Sequence, residues 1–114
     1  MNTEQVSFKI ISLAGDAFST LIEALQMAKK GNFQQVEVLI NTAKKQVNEA
    51  HDVQTNLIVK EAQGETADFS VLLIHAQDTL MNTILMMTLV EEMISMYVDL
   101  KKQIENKGGA EYEY

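Results

Sequence analysis

An all-α fold, an antiparallel three-helix bundle, is predicted for this chain by three observations. There is no proline, and the five glycines fall at 15, 31, 64, 108 and 109, so the chain has few places to reverse. Between those places run long stretches whose apolar residues recur at spacings of three and four. With 114 residues the chain is the size of one domain, large enough for a single core and small enough to gain from association with copies of itself.

The first helix is expected from about Glu4 to Lys30. Val6, Ile10, Leu13, Ala14, Ala17, Phe18, Leu21, Leu25 and Ala28 make its apolar face. Lys29 and Lys30 suit the carbonyl end of a helix, and Gly31 suits the left-handed residue that closes it. Gly15 lies inside this helix, where glycine costs about 1 kcal/mol against alanine, and so points to close helix packing. The second helix is expected from about Phe33 to Ala62, with Val36, Leu39, Ile40, Ala43, Val47, Ala50, Leu57 and Ile58 inward, and Gln63-Gly64-Glu65-Thr66 breaks it. The third is expected from Ala67 or Asp68 to Asn106. Residues 1–106 then form one domain, and 107–114 form a flexible polar tail.

Wound at about 100° per residue, the third helix has two apolar stripes on opposite sides. Phe69, Leu72, Leu73, Ala76, Leu80, Ile84, Met87, Val90, Ile94 and Val98 form the stripe that meets the other helices. Val71, Ile74, Met81, Leu85, Leu89 and Met96 form the other, which a monomer would leave against water. Its simplest cover is the same helix from another copy, in a closed oligomer. Asp78 sits mid-way along this second stripe, so its copies would converge on the symmetry axis. Converging carboxylates survive by sharing protons, by hydrogen bonding to water, or by binding a divalent cation such as Mg²⁺. His75 and Asn82 lie on one edge of the stripe, about 40° to 60° from Asp78. On pattern alone, a lone acid in an apolar face also serves as a specificity device, and a lone histidine as a hydrogen-bonded structural residue. The methionine-rich run from Met81 to Met96 fits adaptable packing, and His51 has no metal-ligand spacing to His75.

Composition excludes several classes. A net charge of −7, from 16 acids and 9 bases, opposes a nucleic-acid partner. The absence of cysteine removes disulfides, thiolate ligands and a thiol nucleophile, and suits a reducing compartment. The N-terminus lacks a signal-peptide pattern and no apolar run reaches about 18 residues, so neither export nor membrane insertion is expected and cytoplasmic residence is the default. No phosphate-cradling glycine loop or serine nucleophile motif appears, and the paired Glu-x-x-His sets of cation-storage bundles are missing.

The segments IISLAGDAFSTLIEALQMAKKGNF, NEAHDVQTNLIVKEAQGE and, above all, SVLLIHAQDTLMNTILMMTLVEEMISMY carry a resemblance. The chain resembles the lactose/cellobiose-type enzyme IIA family of the bacterial phosphoenolpyruvate-dependent sugar phosphotransferase system, over almost its whole length. The resemblance implies a three-helix protomer in a homotrimer. It implies a phosphoryl relay in which His75 of the HAQD segment accepts phosphate from the histidine-containing phosphocarrier protein and passes it to enzyme IIB. It also implies that Asp78 meets its symmetry mates around a divalent metal, and that the membrane is met only through the permease component. Gln77 and Asn82 are supporting residues expected around His75. The chain departs from the family pattern HAQDHLM by carrying Thr79 in place of the second histidine, and Met86 to Glu92 replace a usually charged stretch. The competing expectation, from another class, is a divergent non-catalytic oligomeric interaction or regulatory protein.

Overall fold

The computed structural model describes residues 1–66 and 69–107, and among these it contains three helices and no strand. Helix α1 runs Thr3–Lys29, α2 Phe33–Ala62 and α3 Val71–Asn106. Each start is fixed by a polar side chain that satisfies backbone N–H groups left without an intrahelical acceptor. Asn2 accepts from the Gln5 amide at 2.8 Å while the Gln5 side chain accepts from the Asn2 amide at 3.0 Å, a reciprocal pair. Asn32 caps α2 through the Gln35 amide at 3.3 Å, and Ser70 caps α3 through the Leu73 amide at 3.3 Å. The two turns place glycine at positive φ, +80° at Gly31, as the sequence predicts, and +92° at Gly64.

Helix α3 begins later than expected, because Ser70 is extended and its hydroxyl starts the helix at Val71. The expected start at Ala67 or Asp68 lies outside the described residues, as does the polar tail from residue 108. Phe69, placed in the core by periodicity, precedes the cap, leaves the helical path and is 85% exposed. Phe18 and Ile58 also turn out to be exposed: each sits at the edge of its stripe, where the neighbouring helix no longer covers it. Gly15 has open space where a Cβ would stand, so it mediates no close packing within the chain.

Helix α1 packs along both α2 and α3, which meet each other only sparsely. Its buried face is Ile10, Ala14, Ala17, Leu21, Ala24 and Ala28, and the alanines let its neighbours approach closely. Against it lie Val36, Ala43, Val47 and Ala50 of α2 with Leu73, Ala76, Leu80 and Val90 of α3. The buried Thr83 hydroxyl donates to the Thr79 carbonyl at 2.8 Å, which removes the cost of an unpaired polar group. Thr83 also approaches the Ala14 carbonyl at 3.5 Å, and the Tyr97 hydroxyl donates to the Lys29 carbonyl at 3.2 Å, so α1 and α3 rise in the same direction with α2 antiparallel between them in sequence. At the far end the Tyr97 ring lies 6.4 Å from that of Phe33, and the Lys101 ammonium stands 4.9 Å over Phe33. No helix among the described residues is long and apolar enough to cross a membrane.

Candidate functional site on the third helix

The outward stripe of α3 is unpartnered, as the sequence predicts. Val71, Ile74, Met81, Leu85, Leu89 and Met96 are between 48% and 74% exposed, while Leu73, Ala76, Leu80 and Val90 on the other side are buried. Asp78 stands in this stripe and is exposed, as are His75 and Asn82 at its edge. The Asn82 amide donates to Asp78 Oδ2 at 3.5 Å, a long contact that leaves most of the carboxylate's acceptor capacity free.

The two flanks of α3 differ. Glu91 reaches Lys44 of α2 at 3.7 Å, and Tyr97 reaches the end of α1. On the helical wheel Gln77 falls on the Glu91 side, and His75 falls nearer the Tyr97 side. Within a protomer Gln77 and His75 therefore point about 160° apart, and of the two supporting residues expected around the imidazole only Asn82 lies on its side of the helix. Thr79, one turn on from His75, donates its hydroxyl to the His75 carbonyl at 2.8 Å, a local back-bond along the helix.

One contributor was not anticipated. Phe8, Phe18 and Ile22 of α1 are exposed, and with the half-buried Ile11 they form a second apolar stripe on α1. Lys9 and Thr20 reach Glu49 and Gln46 of α2, so the opposite flank of α1, which carries this stripe, lies on the α3 side and borders the His75 flank. The spacing 8, 11, 15, 18, 22 was present in the sequence, but the larger core stripe beside it masked the signal.

His75 does not line the cavity at the end of the bundle where the chain begins. That cavity, about 760 Å³, sits between the start of α1, the end of α2 and the start of α3, with Val6, Asn56, Lys60, Glu65 and Leu72 among its lining residues. A histidine carried on the open face of a regular helix is reached by the convex surface of another macromolecule more readily than by a small molecule that needs enclosure. Among the described residues of one chain no three His, Cys, Asp or Glu side chains cluster as a metal site. The oxygens of Asp78 are hard donors of the kind Mg²⁺ takes, and with no ligand cluster around it in one protomer the residue fits a cation only if other copies supply the remaining ligands.

Fold and surface together define a small helical module with an exposed histidine on the outward side of its third helix. The sequence matches the family described as the lactose/cellobiose-specific IIA subunit of the phosphotransferase system, PTS, over residues 5–98, and the chain belongs to that family. It is 43% identical over 100 residues to the PTS lactose-specific EIIA component of Streptococcus mutans, covering 85% of this chain and 96% of that one. The crystal structure of the PTS cellobiose-specific enzyme IIA from Bacillus anthracis matches with a TM-score of 0.84 at 45% identity, with 95% of each chain covered. The IIA component in solution structures of the IIA(Chitobiose)–HPr complex from Escherichia coli matches with a TM-score of 0.77 at 35% identity, covering 89% of this chain and 98% of that one.

Proposed function

We propose that the chain is a phosphoryl-carrier subunit in sugar uptake, accepting phosphate on His75 from the histidine-containing phosphocarrier protein and delivering it to enzyme IIB. The observation that carries this reading is an exposed imidazole on a rigid helix, in a family whose Escherichia coli relative was solved in complex with HPr. In the loading step a ring nitrogen of His75 with a free lone pair attacks phosphorus, an N–P bond forms as the phosphocarrier protein's N–P bond breaks, and the donor imidazole leaves with its electron pair; in the delivery step the His75 N–P bond breaks as the acceptor nucleophile of enzyme IIB bonds to phosphorus. The second ring nitrogen keeps its proton. Loading exchanges one N–P bond for another, so the phosphoryl group retains its transfer potential on His75, and catalysis reduces to in-line positioning and charge stabilisation once the partner docks.

The outward stripe of α3 supports a homotrimer built around this helix. In a closed ring the flank of one protomer that carries Gln77 meets the flank of the next that carries His75, which restores Gln77 as a supporting residue across a subunit boundary. Asn82 orients Asp78. Three Asp78 carboxylates converging in an apolar seam would repel, and a divalent cation such as Mg²⁺, when bound, supplies the neutralising charge.

The test is a reconstituted relay containing phosphoenolpyruvate, enzyme I, the phosphocarrier protein and an enzyme IIB component of a lactose- or cellobiose-type system. Label is expected on enzyme IIB only when this chain is added, and not with His75→Ala. Transfer that persists with the variant would remove His75 from the relay. A wild-type chain that trimerises yet accepts nothing from active partners would favour the non-catalytic interaction protein, with Thr79 the first residue to revert to the family's histidine.

A further inference from the structure

The relay leaves unused the cavity of about 760 Å³ at the end of the bundle, whose walls come from all three helices. Val6 of α1, Leu57 of α2 and Leu72 of α3 line it with apolar side chains that are buried or half-buried. Val6 belongs to the core cluster of Ile10, Ala14 and Leu80, and Leu57 packs against that cluster, so the apolar wall is the open end of the core. Asn2, Asn56 and Ser70 line the same space. Asn2 and Ser70 each spend an acceptor on a backbone amide, that of Gln5 and that of Leu73, and each still carries a donor group. The volume lies within the range of about 300–1,000 Å³ that holds small molecules.

Charge narrows the class of ligand. The acids Glu4 and Glu65 line the cavity with one lysine, Lys60, and acids in the majority oppose an anion by like-charge repulsion. Two helices start beside the cavity, but Glu4 stands in the first turn of α1 and already answers the positive end of that helix. A metal ion is no better served, since no three His, Cys, Asp or Glu side chains gather as a site among the described residues. The walls suit a neutral molecule with an apolar side and a polar edge. A pyranose ring has both: its C–H face fits the end of the core, and its hydroxyls donate to and accept from amide, hydroxyl and carboxylate groups.

We infer that this cavity binds a neutral saccharide of one or two rings, its C–H face against Val6, Leu57 and Leu72 and its hydroxyls on Asn2, Asn56 and Ser70. The site is separate from the surfaces already described on α3. On the helical wheel Leu72 lies about 120° from Asp78, so this wall stands off the outward stripe, and along the axis it precedes His75 by about one turn.

The test is a titration of the full-length, isotope-labelled chain with cellobiose, followed through its amide shifts. Saturable shifts are expected at Val6, Leu57 and Leu72 with a Kd of about 1 mM, in keeping with an open cleft. Asn56→Trp puts an indole into the cavity from an exposed position that the core does not use, and should weaken binding at least about tenfold. Asn48→Trp makes the same change at an exposed position about two turns away on α2 and should leave binding as it is. Glucose 6-phosphate should bind more weakly than glucose, by repulsion from Glu4 and Glu65. Binding of the phosphate ester as tightly or more tightly would overturn the neutral ligand. No saturable shift by about 50 mM cellobiose, or equal binding by the two tryptophan variants, would overturn the site itself. His75→Ala should bind cellobiose as the wild type does, so the saccharide site and the phosphoryl relay stand or fall separately.

Discussion

Within a single turn of α3 the outward face presents an imidazole and a carboxylate, and neither is needed by the core. His75 and Asp78 are exposed, while Ala76 and Leu80 between and after them are buried. Their substitution therefore separates function from folding. His75→Ala is expected to leave unfolding free energy within about 0.5 kcal/mol of wild type, as surface changes usually do, while phosphoryl acceptance is lost; urea denaturation beside the transfer assay checks both. Leu80→Ala is expected to do the reverse. Leu80 is fully buried between α1 and α3, so truncation should cost about 2–5 kcal/mol by urea midpoint, with His75 still reactive wherever the chain is folded. At this scale the sequence was most informative about identity and least about direction. The HAQD segment marked the residues, but that Gln77 points to the α2 flank and His75 to the other depends on which helix packs on which side. Nothing local to those four residues encodes that choice.

The helices themselves were legible because their punctuation is chemical. Gly31 and Gly64, both expected as breaks, occupy the positive-φ positions that other residues disfavour, whereas the cap acceptors Asn2, Asn32 and Ser70 emerge only in the structure. Ser70→Ala is expected to cost about 1 kcal/mol and to fray the first turn of α3, one turn before His75, read as faster amide exchange at Leu72 and Leu73. Gly64→Ala should also destabilise, by about 1 kcal/mol, through strain at φ +92° rather than any clash, since open space surrounds its Cβ position. The misplacements share one cause. Phe69, Phe18 and Ile58 are large apolar residues at the end or edge of a stripe, and periodicity assigns a face without saying where the covering helix ends. The second apolar stripe of α1 is illegible in the sequence for the related reason that a dominant core face hides a weaker one beside it.

At the scale of the whole molecule, a protomer 66 Å long and 24 Å by 20 Å across buries a thin, alanine-rich core and leaves large apolar residues of α1 and α3 outside. Such a balance favours association over existence as a single chain. Leu85→Asp is expected to produce single chains in analytical ultracentrifugation, and persistence of trimers would place the seam elsewhere. If the proposed trimer forms with Asp78 on its axis, Asp78→Leu should retain or strengthen it and abolish any stabilisation by Mg²⁺, because the substitution removes both the repelling charges and the carboxylates that would hold a cation. Single chains from that variant would contradict an axial position for Asp78. Thr79 bears on partner choice instead: its hydroxyl is turned to the helix backbone at 2.8 Å, so Thr79→His should alter the rate of phosphoryl acceptance more than the stability of the fold.

The central claim is that this chain carries phosphate on His75. The most direct measurement is the intact mass of the wild-type chain and of His75→Ala after incubation with phosphoenolpyruvate, enzyme I and the phosphocarrier protein. An acid-labile gain of one phosphoryl group in the wild type alone is the predicted result; the same gain in both proteins, or none in the wild type with its partners proven active, would contradict it.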